Sequence, residues 1–128
     1  MNGILITNNP EAEKKYLTSM KTVYLENTDY IHVLYAARDK IHEGHKLLTH
    51  PLSGSVKPNQ TPYKSIVVSE EAAQLDFESL KIIEDSIVIA KKLLDEKPTR
   101  KYTQKILEDF KLIDLDLITG GIESMRQF

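Results

Sequence analysis

The sequence predicts a small layered α/β domain: a mixed, mostly parallel sheet of about four strands, in the order 2-1-3-4, with C-terminal helices. Three observations predict it. Short continuous apolar runs, Ile4-Leu5-Ile6 first among them, have the character of strands buried on both faces. Strand-like and helix-like segments alternate as βαβαβ through Thr49, an order that right-handed crossovers turn into a layered domain. The second half then changes to long helical stripes.

Each element has its own signals. After Ile4-Leu5-Ile6, Asn9 is a good helix cap and Pro10 suits the first helical position. Tyr16, Leu17 and Met20 give that helix an apolar side. Val23-Tyr24-Leu25 reads as the second strand, and Asn27, Thr28 and Asp29 are all able to cap the next helix. Tyr30, Leu34, Ala37 and Ile41 form one helical stripe, which Gly44 ends in a left-handed conformation. Leu47-Leu48-Thr49 is the third strand.

A long polar loop, His50 to Pro62, contains three prolines and a glycine and excludes regular structure. Ser65-Ile66-Val67-Val68 resumes as a β-branched strand. No helix precedes it, so it is expected antiparallel to the third strand and at the sheet edge. From the cap Asp76, a long stripe runs through Phe77, Leu80, Ile83, Ile87, Ala90 and Leu94. Pro98 and Thr99 break the chain, and Ile106, Leu107, Phe110 and Ile113 suggest another helix. Asp114 to Ile118 alternates like a strand between helical neighbours, Asp114 and Asp116 are expected on the solvated side, and Gly120-Gly121 is expected to break the segment.

The 128 residues suit one domain, spanning 1–128. With 41% hydrophobic and 28% charged residues the balance is globular rather than disordered. The absence of cysteine excludes disulfides, thiolate metal sites and a thiol nucleophile in this chain. A net charge of -2 without a dominating basic face disfavours a nucleic-acid partner. The start from Met1 lacks the pattern of a signal peptide, and no apolar run is long enough to span a membrane. A cytoplasmic location without a membrane partner is therefore expected.

Topology and composition point to one site. In open parallel sheets ligands bind beyond the carboxyl ends of strands where the order reverses. With the order 2-1-3-4, that point lies between Thr7-Asn8-Asn9 and the loop His50 to Pro62. Ser53-Gly54-Ser55 with Lys57, Thr61 and Lys64 has the composition of an anion site: glycine for close approach, hydroxyl donors, and positive charge. A proline-pinned surface loop with ordinary turn residues is the plainer alternative, and no P-loop pattern is present. His50 is the best-placed acid–base group, although no carboxylate lies in its loop. A metal shared by His42, His45 and His50 is not expected, since a strand puts His45 and His50 about 16 Å apart. No metal and no cofactor are called for. The broadly apolar helices after Asp76 suggest a homodimer.

Ile6-Thr7-Asn8-Asn9-Pro10, the stretch Arg38 to Pro58 that contains Glu43-Gly44-His45-Lys46-Leu47-Leu48-Thr49-His50-Pro51-Leu52-Ser53-Gly54-Ser55-Val56-Lys57-Pro58, then Thr61-Pro62-Tyr63-Lys64-Ser65 and Ile106 to Leu115 resemble the GrdX family. The resemblance spans nearly the whole chain. It implies a setting in amino-acid fermentation of the Stickland type, beside the glycine, sarcosine and betaine reductase genes of anaerobic bacteria. It supplies no reaction and no catalytic residues. Those reductases use selenocysteine and thiol chemistry, which a chain without cysteine cannot carry. The expectation is an accessory protein that binds a small polar or anionic ligand, or a reductase component. The alternatives are a small enzyme using His50 with Lys57 or Lys64, and a scaffold acting through its C-terminal helices.

Overall fold

The computed structural model describes residues 3–54 and 56–126. Expectations that fall on Met1, Asn2 and Ser55 lie outside the described residues. The elements run β1 (Gly3–Thr7), α1 (Pro10–Tyr16), β2 (Lys21–Tyr24), α2 (Tyr30–His42), β3 (His45–Leu47), β4 (Ser65–Ala72), α3 (Phe77–Glu96) and α4 (Gln104–Met125).

The class is α/β with a mixed four-stranded sheet and C-terminal helices, but the strand order is β2-β1-β4-β3 instead of 2-1-3-4. β1 pairs parallel with β2, and β4 pairs antiparallel with both β1 and β3, so the sheet is not mostly parallel. β4 is antiparallel to β3, as expected, yet it lies on the inner side of β3 and not at the edge. The cause is in its residues. Ile66, Val67 and Val68 all have no solvent exposure, which requires cover on both faces and both sides. Each such side chain contributes about 1.5–3 kcal/mol by burial. β3 is short and carries exposed Lys46, while β2 carries exposed Lys21. Short, lysine-bearing strands suit sheet edges, because they discourage pairing with other chains.

Strand alternation divides the interior into two cores. Ile4 and Ile6 of β1 and Ile66 and Val68 of β4 face α2 and α3, packing on Val33, Leu34, Ile41, Ile83 and Ile87. Leu5 and Val67 face the other way, toward Ala12 and Tyr16 of α1 and Ile118 and Ile122 of α4. The result is three layers, α/β/α.

The helix signals mostly hold. Asn9, Asp29, Asp76 and Thr103 cap the four helices, each side chain accepting a backbone N–H. Gly44 has φ 106°, and a Cβ there would lie 2.0 Å from the Ala73 carbonyl oxygen. The C-terminal expectation needs correction. α4 runs unbroken through Asp114–Ile118 and through Gly120-Gly121. Asp114, Ile118 and Ile122 recur at intervals of four and face inward. Gly121 brings α4 against Thr49, where a Cβ would sit 3.3 Å from the threonine methyl carbon.

Candidate functional site

Because β1 and β4 are antiparallel, the end of β1 lies beside the start of β4, with Thr7 opposite Ser65. The crevice expected between β1 and β3 is therefore filled by β4. In its place is a buried polar network on the α4 side of the sheet. The Asn9 N–H donates to Thr7 Oγ1 at 2.9 Å, and Thr7 Oγ1 is 2.7 Å from Ser65 Oγ. The Ser65 hydroxyl donates to Asp114 Oδ2 at 2.7 Å. Since Ser65 gives its proton to Asp114, Thr7 must donate to Ser65, so the chain of hydrogen bonds has one direction and ends on a carboxylate. Such chains strengthen one another in a low-dielectric interior. The Asn9 side-chain amide also donates to Asp114 Oδ2, at 3.0 Å, and to the Lys111 carbonyl, at 2.8 Å.

Asn8 ties three segments together. Its amide nitrogen donates to the carbonyls of Thr28 (3.0 Å) and Pro62 (2.8 Å), and its oxygen accepts the Lys64 N–H at 2.9 Å. The polar loop is thus anchored to the end of β1 before β4 begins.

Lys64 and Asp114 are both buried, at 5% exposure each. They line one slot of about 10 Å3, with Tyr30, Ser53, Val56 and Thr61 among its other walls. That is room for about one water molecule. Lys64 makes no ion pair among the described residues. Its ammonium lies 5.9 Å from the centre of the Tyr30 ring. Burial pushes the Asp114 carboxyl above the usual carboxylate range, against the opposing hydrogen bonds of Asn9 and Ser65 and the charge of Lys64. Burial pushes the Lys64 ammonium down, with Asp114 pulling it back. The Tyr30 phenol is pushed up, chiefly by burial and then by Asp114, and its hydroxyl donates to the Pro51 carbonyl at 3.3 Å. Two oppositely charged side chains are buried near one another without forming an ion pair.

The residues expected in the site divide into separate environments. Thr7, Asn8, Asn9, Thr61 and Lys64 are buried around the network. Ser53 lines the slot, and Gly54, with φ 100°, lies against Leu117, where a Cβ would sit 2.8 Å from a methyl carbon. His50 is exposed, and its Nδ1 accepts the Leu52 N–H at 3.0 Å within its own loop. Lys57 turns away, toward a cleft beside Arg100 and Tyr102. His50, Lys57 and Lys64 therefore do not converge. Ser55 lies outside the described residues. His42 is exposed, and His45 is buried, donating from Nδ1 to the Ser69 carbonyl at 2.8 Å.

Asp114 and Tyr30 are the residues that sequence reasoning missed. Asp114 was expected on the solvated side of an ambiguous segment. Its signal was an acid four and eight residues before Ile118 and Ile122, on the one stripe that must face the sheet. Tyr30 was assigned to the core stripe of α2, which is correct for its ring and silent on its hydroxyl.

Among the described residues, no helix is long and apolar enough to cross a membrane. The fold and site define a three-layer α/β domain with a charged pair buried at one end of a mixed sheet. The family model for GrdX-like proteins matches residues 4–123, nearly the whole length, and the chain belongs to that family. No curated protein and no solved structure matches it significantly.

Proposed function

We infer that this GrdX-like protein is an accessory binding protein of the glycine, sarcosine and betaine reductase system and does not act as a thiol redox carrier. One observation carries the binding role: Lys64 and Asp114 are buried in a common slot without an ion pair to each other. Keeping charges in a dry interior costs several kcal/mol per ion, and a fold seeking stability alone would neutralise or pair them directly. Buried ionisable groups with shifted pKa values that face a cavity are characteristic of binding and catalytic sites.

The slot admits one group of about the size of water, so it would receive one polar end of a ligand. The remainder would lie outward along Ser53, Val56 and Tyr63. Glycine, sarcosine and betaine share a carboxylate, and Lys64 offers the matching charge. Thr7, Asn8 and Asn9 would hold the frame, and Ser53, Gly54 and Thr61 the rim. The separation of His50 from Lys57 and Lys64 weighs against the enzyme alternative.

Thermal unfolding with glycine, sarcosine and betaine as probes tests this. Ethanolamine and choline, which lack the carboxylate, serve as controls. A ligand at a hundred times its Kd stabilises by about 2.7 kcal/mol, a readily measured shift. The carboxylate probes should raise the melting temperature of the wild type and not of Lys64→Met. If no probe shifts it at saturating concentration, or if all probes shift both proteins alike, the proposed site is wrong.

A further inference from the structure

The outer side of the loop carries a second, larger feature. A cleft of about 590 Å3 lies between residues 56–60 and the connection from α3 to α4. That volume falls within the usual range for small-molecule sites. Lys57 enters it from the loop, Lys97 and Arg100 from the connection, and Tyr102 and Phe110 form an aromatic wall. The two rings pack with centroids 5.0 Å apart, tilted by 41°.

The walls are fixed by hydrogen bonds. The Asn59 amide donates to the carbonyls of Leu93 (3.2 Å) and Lys97 (3.1 Å), stitching the loop to the end of α3. The Tyr102 hydroxyl donates to the Gln60 carbonyl at 2.7 Å, and Gln60 Oε1 accepts the Lys57 N–H at 2.9 Å. A cleft built this way loses little entropy on binding.

Its charge is one-sided. No carboxylate lines it, and Lys57, Lys97 and Arg100 make no ion pair among the described residues. Asp95 and Glu96, the adjacent acids in the sequence, line a different groove with Lys91 and Lys92. The whole chain has a net charge of -2, so a concentration of three cations here does not reflect a general excess of base. Low-dielectric walls with one sign of charge focus the field and raise the local concentration of counter-ions.

We propose that this cleft binds a small organic phosphate, the phosphate held by Lys57, Lys97 and Arg100 and the planar part lying against Tyr102 and Phe110. Arginine contributes a planar fork matched to phosphate oxygens, and the lysines add point charge. The aromatic wall distinguishes an organic phosphate from the free ion. The proposal is independent of the inner slot at Lys64 and Asp114.

Calorimetric titration of the full chain with adenosine monophosphate, inorganic phosphate and adenosine tests it. The monophosphate should bind at least about tenfold more tightly than either fragment, one tenfold step being the size of one good charged contact or ring contact. Arg100→Ala and Lys97→Ala should each weaken the monophosphate by about tenfold or more. Both residues are exposed, so the melting temperature should stay near that of the wild type. Lys91→Ala, on the separate groove, should leave the affinity unchanged. Equal affinities for wild type and the Arg100 and Lys97 variants would overturn the site. Inorganic phosphate binding as tightly as the monophosphate would overturn the role of the aromatic wall. Binding of polyaspartate without binding of either phosphate probe would show a surface for an acidic protein segment and overturn the small-ligand assignment.

Discussion

Replacing Asp114 by alanine should be among the most damaging single changes in this fold. The carboxylate accepts two hydrogen bonds, from Ser65 and Asn9, and each bond to a charged group is worth about 1.5–3 kcal/mol. Against this gross loss stands relief of the burial penalty that raises the carboxyl pKa. Asn9 also keeps the Lys111 carbonyl as acceptor. The balance is a net loss of about 2–4 kcal/mol. For a chain of 128 residues, 1 kcal/mol corresponds to about 4 °C, so the melting temperature should fall by about 8–16 °C.

Asp114→Asn keeps one acceptor oxygen for both donors and should cost only about 1 kcal/mol. The two proteins should also differ in pH dependence. A carboxyl whose folded pKa is raised destabilises the fold while ionised, and the folded state takes up the proton first as the pH falls. Wild-type stability should therefore gain on that of Asp114→Asn from neutral pH down toward the ordinary value of 3.8. Denaturant unfolding of both proteins across that window measures the gap. If the gap widens in favour of Asp114→Asn on acidification, Lys64 holds the carboxylate ionised and the burial reasoning fails. If Asp114→Ala melts within about 2 °C of wild type, the network is not stabilising.

Lys64 should show the mirror-image behaviour. Its lowered folded pKa means a penalty that is relieved as the pH rises toward 10.5, so wild type should gain stability relative to Lys64→Met between neutral and alkaline pH; a loss there would contradict burial as the cause. Gly54→Ala meets both a φ of 100° and Leu117, and should cost about 1–3 kcal/mol by thermal unfolding; an unchanged melting temperature would mean that the loop relaxes away from α4. A homodimer is proposed from the exposed apolar residues Val88 and Ile89 of α3, with Val88→Glu expected to yield a monomer in light scattering. Monomeric wild type at high concentration would end that proposal.

The parts of the fold that depend on local chemistry were legible in the sequence. Asn9-Pro10, Asp76 and Gly44 announce their roles through capping and left-handed backbone, which neighbours in the chain decide. Strand order was not legible. Whether β4 lies inside or outside β3 depends on which strand needs two neighbours, and that follows from comparing the full burial of Ile66-Val67-Val68 with the brevity of β3. Grouping the expected site residues on one face failed for a similar reason. The loop has two sides, and Lys57 and Lys64 leave it in different directions. Asp114 escaped notice because alternation with Leu115 and Leu117 imitates a strand, whereas the helical interval to Ile118 decides its direction.

The central place of β4 also constrains how the chain acquires its structure. β1 and β3 have no contact along the sheet except through β4, which is the last strand to be made. A nascent chain ending within the loop would expose the unpaired side of β1 and leave Ile6 without the cover of α3 and Leu5 without that of α4. Pairings this distant along the chain, such as Leu5 with Val67, carry a large loop-closure cost before they return any stability. The first half of the protein is therefore an acceptor waiting for a strand, and the second half is its donor. Cut within the polar loop, the two fragments should each be largely unstructured alone and assemble when mixed.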